Sequence, residues 1–337
     1  MTRIAVIGCG YWGPKLARNL EAIDGVRVTA LCDTNPARLI ALGRFHPSAR
    51  LVGDAEEVLA APDVDAVAIA TPVETHHRLA AAALARGKHV MVEKPLANSV
   101  ADAAALVAQA REAGLTLLVD HTFIYSGAVR KLRALVESGE IGDLLYIDSV
   151  RINLGLFQPD VNVLWDLAPH DVSIVTHLVR ATPLWVSAVG RAHYGRHECQ
   201  AYVTIQFADS VLAHMHVNWL APVKIRSTLV GGSKRMIVYD DLEPSEKIRI
   251  YEKGVSFGDN GDGRTRALVD YRTGDMHAPY VDKTEPLLAA CTDFVTAIRT
   301  GAPPVVDGQA GLEVVRILAG AQESLRRGGE RIPLAHR

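Results

Sequence analysis

This chain of 337 residues has few cysteines, and they lie far apart in the sequence without a C-x-x-C pair. That spacing argues against both a disulfide framework and a structural zinc site. The chain also lacks an uncharged apolar run of the roughly 18 residues that a membrane span needs. The strand-like segment Ile4–Ile7 follows the first three residues directly, which leaves no room for a secretory signal, so we expect a reduced, cytoplasmic protein. The four cysteines are Cys9, Cys32, Cys199 and Cys291.

An excess of charge of one sign is missing as well, since 36 lysines and arginines face 38 aspartates and glutamates. The formal net charge of −2 provides no overall attraction for nucleic acid or a membrane surface, so we expect neither as a partner. Apolar residues, in contrast, make up 49% of the chain, as in a globular protein with a sizeable core. The length predicts two domains.

Short apolar runs alternate with helical patterns over residues 1–122. The runs are apolar along their whole length, which is typical of parallel strands covered on both faces by helices. Two helical patterns, Thr75–Arg86 and Ser99–Ala113, are followed by Gly87 and Gly114, and glycine commonly ends a helix. The alternation predicts a doubly wound α/β domain. Its predicted strands are Ile4–Ile7, Val26–Cys32, Ala66–Ala70, His89–Val92 and Leu115–Val119.

The rhythm changes after a predicted helix at Ser126–Glu137. Segments with period-two alternation follow one another through short turns, which predicts a large, mainly antiparallel, open sheet with one covered face. Residues 123–337 are therefore expected to form an α+β domain, whose late helices, Glu285–Arg299 and Asp307–Arg327, pack back on the first domain. The predicted strands are Leu145–Leu154, Leu184–His193, Gln200–Phe207, Val211–Leu220, Lys224–Val230, Arg235–Tyr239 and Lys247–Tyr251.

A glycine-rich motif, Gly8-Cys9-Gly10-Tyr11-Trp12-Gly13, joins the first predicted strand to a helical pattern. The first glycine allows a tight turn, the second lets the backbone approach a pyrophosphate, and the third permits close packing of helix on strand. The N-terminus of the helix then faces the phosphates. Because it stands between a strand and a helix, the motif predicts a dinucleotide-binding Rossmann domain. A glycine turn without a ligand is the alternative.

Asp33 ends the second predicted strand at about the distance from the glycines where a carboxylate accepts the adenosine ribose hydroxyls. Its charge would repel a 2′-phosphate, so NAD is favoured over NADP as the cofactor. Arg38 follows one helical turn later and could partly offset that repulsion, which leaves NADP open. Alternatively, Asp33 only starts the turn before Asn35-Pro36.

Three short motifs follow along the chain: Ala70-Thr71-Pro72, Glu93-Lys94-Pro95 and the pair formed by Asp166 and His170. Together with the glycine motif, their order and spacing resemble the family of glucose–fructose oxidoreductase, inositol dehydrogenase and rhizopine-catabolism oxidoreductase (Gfo/Idh/MocA) along nearly the whole chain. The resemblance implies an NAD(P)-dependent sugar or polyol dehydrogenase or ketoreductase. It also implies these cofactor contacts: Gly8, Gly10, Tyr11, Trp12, Gly13, Asp33, Thr71, Pro72, His76, Glu93 and Lys94.

Lys94, Asp166 and His170 are the predicted catalytic residues. Lys94 follows a strand end, where open α/β sheets place ligands, and an ammonium there can stabilise a developing alkoxide. Asp166 and His170 lie four residues apart, on one face of a helix, and Pro169 predicts that they belong to its first turn. His170 would act as general base in oxidation or acid in reduction, oriented by Asp166. The alternatives are a surface lysine and a histidine satisfied within a turn.

The segment from Asn153 to Asp166 resembles the subgroup that oxidises or reduces C3 of nucleotide-activated sugars. Its aromatic side chains could stack on a sugar or base, and its polar side chains could bind hydroxyls, although such residues also pack over domain junctions. The residues in question are Phe157 and Trp165, and Asn153, Asp160 and Asn162. The predicted substrate contacts are Lys94, His121, Tyr125, Asn153, Trp165, Asp166 and His170.

Three other activities stay open at this point. They are oxidation of free inositol or another unactivated polyol, chemistry at a glycosidic bond with permanently bound NAD, and NAD-binding regulation without turnover. A regulatory protein need not keep Lys94, Asp166 and His170 together, so the complete set favours an enzyme.

Two further features concern metals and partners. His214 and His216 share one face of a predicted strand but lack a third ligand, so we expect a sheet surface or subunit interface and no metal. The resemblance implies a homodimer or homotetramer formed through the C-terminal sheet.

Overall fold

The structure is a computed structural model that describes residues 1–155, 161–252, 254–258, 268–272 and 274–334. The chain forms two compact units, each with its own sheet. The first unit comprises Met1–Ser126 and Thr284–Ala319, and the second comprises Gly127–Lys283 and Gly320–Arg337. Within the described ranges, no helix combines the length and the apolar character needed to cross a membrane.

Strands alternate with helices through the first part of the chain. The elements are β1 (Thr2–Ile7), α1 (Gly13–Glu21), β2 (Val26–Cys32), α2 (Pro36–Gly43), β3 (Arg50–Val52), α3 (Ala55–Ala60), β4 (Ala66–Ile69), α4 (His76–Ala85), β5 (His89–Glu93), α5 (Val100–Ala113) and β6 (Leu117–Asp120). The six strands form one parallel sheet in the order β3-β2-β1-β4-β5-β6. This confirms the predicted doubly wound α/β domain.

The sequence pattern predicts five of these six strands and misses β3. That strand has three residues at the edge of the sheet, and its first two residues, Arg50 and Leu51, are exposed. A strand so short and so exposed carries no apolar run that could reveal it.

The chain order of the strands reverses between β1 and β4, which are neighbours at the centre of the sheet. In open α/β sheets, ligands bind outside the carboxyl ends of the strands at such a point. Here the backbone N–H of Ala70 donates to the carbonyl of Ile7 over 2.7 Å, so the two strand ends stay together where the glycine loop begins.

The rest of the chain contains a second sheet. In chain order, the elements are α6 (Gly127–Glu137), β7 (Leu144–Leu154), α7 (Val163–Leu178), β8 (Pro183–Arg191), β9 (Gln200–Phe207), β10 (Leu212–Asn218), β11 (Leu220–Gly232), β12 (Met236–Asp240), β13 (Ile248–Tyr251), β14 (Gly254–Gly258), β15 (Leu268–Arg272), β16 (Met276–His277), α8 (Pro286–Thr300), α9 (Gly308–Arg326) and β17 (Ile332–Pro333). The large sheet has the order β16-β13-β12-β11-β7-β10-β9-β8-β17, and β14 pairs with β15 separately. Neighbours in the large sheet are antiparallel except β7 and β10, which confirms the predicted, mainly antiparallel sheet.

One face of the large sheet is covered by helix α7, which packs across β7, β9 and β10. Alternate residues of β9, namely Ala201, Val203 and Ile205, are fully buried, whereas Tyr202 and Thr204 between them are not. This alternation is what a sheet with a single covered face requires. In the first unit, α8 packs against α1 and β6.

Candidate active site

The glycine loop between β1 and α1 contains two glycines that the fold itself requires. A Cβ at Gly8, whose φ is +97°, would lie 2.4 Å from the carbonyl oxygen of Ala70. A Cβ at Gly13 would lie 2.0 Å from the carbonyl oxygen of Gly8. At Gly10, in contrast, the nearest atom is Nη1 of Arg38, at 3.9 Å. Gly10 is therefore not needed for internal packing, and it leaves the open backbone that a pyrophosphate approaches.

The N-terminus of α1 adds positive potential beside this loop. Trp12 precedes the helix, and its side chain does not cap it. Pro14 has no N–H, and the N–H groups of Lys15 and Leu16 donate to the carbonyl of Trp12, so the helix dipole and the N–H of Gly13 provide the attraction for an anion here. The ammonium of Lys15 lies 3.6 Å from the ring centroid of Tyr11 and 4.2 Å from that of Trp12. Helix dipole and ammonium together favour a negatively charged ligand at this end of the sheet.

Asp33 lies buried at the end of β2 and holds the glycine loop directly. Its Oδ2 accepts the backbone N–H of Cys9 over 2.7 Å, and its Oδ1 accepts the N–H of Asn35 over 2.8 Å. The guanidinium of Arg38 lies 3.8 Å from Oδ2. Asp33 thus starts the turn at Asn35, and each carboxylate oxygen keeps a second lone pair that can accept a ribose hydroxyl. The loop, helix end and carboxylate fit a dinucleotide.

Residues of the predicted cofactor and catalytic motifs follow the neighbouring strands β4 and β5. Thr71 and Pro72 come after β4, Glu93 is the last residue of β5, and Lys94 follows it. The Lys94-Pro95 peptide bond is cis. Because β4 and β5 are parallel neighbours, these residues share one edge of the sheet.

Glu93 is paired with a carboxyl group that the sequence reasoning missed. Glu93 and Asp120 are register partners on β5 and β6, and both are buried. Burial, followed by the charge of Asp120, raises the pKa of Glu93 well above its usual value, and burial raises the pKa of Asp120 to about 6. Two neighbouring buried carboxyls cannot both ionise easily, so the pair holds its protons more tightly than isolated carboxyl groups do.

His121 and Tyr125, predicted to contact substrate, are also buried in the first unit. Burial, and secondarily the charge of Lys94, lowers the pKa of His121 to about 3, so its ring is neutral. The hydroxyl of Tyr125 donates to Oδ2 of Asp293 on α8 over 2.8 Å. The Tyr125 hydroxyl proton is therefore engaged within the protein, and a contact of either residue with substrate stays a prediction.

In the second unit, Asp166 and His170 lie on α7, one turn apart on the same face. The side chain of Asn162 accepts the N–H of Trp165 and so caps the helix, which begins at Val163. Pro169 consequently lies inside the helix, and the prediction that it marks the first turn is wrong. The Asn162 cap decided the boundary, because it satisfies an N–H that would otherwise be unpaired.

Three residues distant in sequence hold this part of α7 in place. The indole N–H of Trp219, which follows β10, donates to Oδ2 of Asp166 over 3.0 Å. On the neighbouring position of α7, Asp171 accepts hydrogen bonds of 2.6 Å from both Ser149 and Arg151 of β7. Arg151 and Asp171 are almost completely buried, so they form a buried ion pair. In the sequence, Arg151 shares its parity with Ser149 and Asn153, so no apolar alternation marks this side of β7 as the buried one.

The remaining substrate candidates are placed as follows. Asn153 of β7 and Trp165 of α7 are half-buried in the second unit. The amide N–H groups of Asn162 donate to Glu198 and Gln322, which leaves no N–H of that amide for a sugar hydroxyl. Phe157 and Asp160 lie outside the described residues.

The two histidines of β10 are partners of an aromatic ring. The ring of Tyr202 stacks on His216 with centroids 4.4 Å apart and lies 6.2 Å from the ring of His214. Nowhere in the described ranges do three histidine, cysteine, aspartate or glutamate side chains gather as a metal would require. All four cysteines are free and buried.

The doubly wound sheet, the glycine loop and Asp33 define a dinucleotide-binding protein. Residues 2–121 match the family described as an oxidoreductase family with an NAD-binding Rossmann fold. Residues 129–238 match the Gfo/Idh/MocA C-terminal domain. The chain belongs to the Gfo/Idh/MocA family of oxidoreductases, and it is an enzyme that binds NAD.

Individual relatives cover almost the whole chain. UDP-N-acetylglucosamine 3-dehydrogenase of Acidithiobacillus ferrooxidans is 28% identical over 316 residues, which cover 93% of this chain and 94% of the relative. A solved structure of that enzyme matches with a TM-score of 0.79 over 96% of this chain and 97% of its own, at 26% identity. Myo-inositol 2-dehydrogenase of Thermotoga maritima is 25% identical over 347 residues and 96% of each chain.

Proposed function

We propose that this enzyme transfers a hydride between a sugar-ring carbinol and nicotinamide, and that the carbinol is C3 of a nucleotide-activated sugar. The observation that carries the proposal is the Asp166/His170 pair on one face of α7, with Asp166 held by Trp219. The similarity to UDP-N-acetylglucosamine 3-dehydrogenase along 93% of the chain supports the substrate class. NAD supplies the hydride acceptor when it is bound.

Lys94, His170 and Asp166 have separate roles at the reacting hydroxyl group. The Lys94 ammonium holds the reacting oxygen and stabilises the negative charge that develops on it as the C–H bond breaks. His170 accepts the hydroxyl proton in oxidation and returns it in reduction. Asp166 orients the imidazole, and its own position is fixed by the Trp219 N–H.

NAD is the preferred cofactor in this proposal, because the Asp33 carboxylate would repel a 2′-phosphate. Arg38, 3.8 Å from that carboxylate, reduces the repulsion, so we expect slow activity with NADP. Replacing Asp33 with serine should therefore raise the preference for NADP.

An absorbance assay for reduced nicotinamide tests the proposal. Purified enzyme would be mixed with NAD or NADP and with UDP-sugars, dTDP-sugars, free inositols or free hexoses. We expect a signal with nucleotide sugars and NAD. Robust activity on free inositol without activity on nucleotide sugars would overturn the substrate class and leave the mechanism.

Lys94→Ala tests the catalytic assignment separately. We expect NADH binding to stay within about threefold of wild type while turnover falls by about 100-fold or more, because an electrostatic contribution to the transition state is lost. Undiminished turnover would remove Lys94 from the mechanism. His77→Ala, at a partly exposed position, is the control.

The second candidate is an NAD-dependent dehydrogenase of inositol or another free polyol, which the similarity to myo-inositol 2-dehydrogenase favours. The same assay separates it from the first.

We further propose a homodimer or homotetramer formed through the uncovered face of the large sheet, where Tyr202 stacks with His214 and His216. Tyr202→Glu should lower the mass measured by light scattering, whereas an unchanged mass would contradict this interface.

A further inference from the structure

His76 is the first residue of α4, and its ring is occupied on both sides by the backbone. Nδ1 lies 2.9 Å from the carbonyl oxygen of Pro95, and Nε2 lies 2.9 Å from the carbonyl oxygen of Thr71. The residue is 1% exposed. A ring with both nitrogens engaged and almost no exposed surface is not available to bind a cofactor.

We propose that His76 is a positioning residue, which ties the segment after β4 to the segment that carries Lys94. The inference rests on the proposed function for the role of Lys94. His76 acts through two carbonyl groups and touches neither substrate nor cofactor.

The two carbonyl groups belong to neighbouring strand ends. β4 and β5 are paired up to Ile69 and Val92, where their register ends. Thr71 and Pro95 lie beyond that last pair, and the imidazole continues the connection there. A shift of either segment would move Thr71 and Pro72 relative to Lys94, and misplacement of about 1 Å is enough to slow an enzyme strongly.

The number of N–H groups that His76 can donate to the two carbonyl groups depends on the protonation of its ring. A neutral imidazole donates through one nitrogen, and an imidazolium donates through both. Burial lowers the pKa of His76, the two carbonyls raise it, and the positive charge of Lys94 lowers it further. Carbonyl oxygens only accept, so both 2.9 Å contacts are hydrogen bonds when each ring nitrogen carries an N–H, and variants that keep a single donor separate the two contacts.

Two amide variants each preserve one side of the tether. In His76→Asn the amide nitrogen lies near the former position of Nδ1 and can donate to Pro95, whereas in His76→Gln it reaches the former position of Nε2 and can donate to Thr71. His76→Ala removes both contacts. Loss of one hydrogen bond corresponds to roughly a tenfold effect.

NADH affinity, measured by fluorescence, and kcat are the two readouts. For His76→Asn we expect kcat near wild type and NADH affinity weakened about tenfold, because the Thr71 segment is released. For His76→Gln we expect near-normal NADH affinity and kcat lowered about tenfold, because the Lys94 segment is released. His76→Ala should show both losses.

His77→Ala is the control, and melting temperatures are recorded for every variant. The proposal is overturned if the Asn, Gln and Ala variants lose melting temperature but keep kcat and NADH affinity, or if Asn and Gln behave alike. A split in NADH affinity between Asn and Gln, in a protein that oxidises no sugar, would support the tether and overturn only the proposed function.

Discussion

The indole N–H of Trp219 donates a hydrogen bond to Oδ2 of Asp166 over a distance of 3.0 Å. The indole is 1% exposed, and a Cβ at Gly155 would approach its Cδ1 to 2.5 Å. Trp219 is therefore closely enclosed, and its N–H fixes the orientation of a carboxylate that we propose to be catalytic.

Trp219→Phe removes this N–H and keeps an aromatic ring. We expect kcat to fall about tenfold with little change in NADH affinity, because Asp166 loses the donor that orients its Oδ2. Steady-state kinetics and an NADH titration measure the two effects. Trp185→Phe, at a tryptophan that contacts Arg331, is the control and should behave as wild type. A Trp219 variant with normal kcat would show that the contact is irrelevant to turnover.

Two glycines of the same loop should respond differently to a methyl group. Gly10→Ala meets nothing closer than 3.9 Å, so we expect unchanged or slightly raised stability, by up to about 1 kcal/mol, and NADH affinity weakened about tenfold or more. Gly13→Ala places a Cβ 2.0 Å from the Gly8 carbonyl, so we expect destabilisation by about 1 to 3 kcal/mol. Denaturant unfolding and NADH fluorescence distinguish the two. Equal stability losses would contradict the assignment of Gly10 to the cofactor.

The buried Arg151–Asp171 pair anchors α7 to β7. Arg151→Met leaves the Asp171 carboxylate buried without its cation, so we expect the free energy of unfolding to fall by about 3 to 5 kcal/mol. The matched control is Arg180→Ala, which removes an exposed partner of Glu137 and should cost no more than about 1 kcal/mol. Similar losses of unfolding free energy in the two variants would contradict a larger contribution from the buried Arg151–Asp171 pair.

The Glu93–Asp120 pair should make stability depend on pH. Because the folded protein raises the pKa of Asp120 from 3.8 to about 6, it binds a proton more tightly than the unfolded chain. The stabilisation is complete below about pH 4 and is lost as the pH rises through about 6. Asp120→Asn should reduce this loss by up to about 3 kcal/mol, measured by denaturant unfolding at several pH values. Glu93→Gln should act in the same direction, and an unaltered pH slope in both variants would contradict the coupling of the two carboxyls.

Much of the first unit was predictable because its signals are local. Strands buried on both faces are apolar along their length, and a glycine loop needs its glycines at fixed short spacing. β3 escaped prediction because an exposed edge strand of three residues has no such pattern. The first turn of α7 was predicted at the wrong place because Pro169 is a stronger signal for a helix start in the sequence than Asn162, which caps the helix.

Motifs in the chain were enough to predict an NAD-binding oxidoreductase with Lys94, Asp166 and His170 as its candidate catalytic residues. Only the tertiary structure decided what surrounds them: the carbonyl partners of His76, the carboxyl partner of Glu93 and the indole on Asp166. Glycine turns and strand periods depend on neighbours within a few residues. Hydrogen bonds such as Trp219 to Asp166 join positions 53 residues apart, and they exist only once strand register and helix packing have brought those positions together.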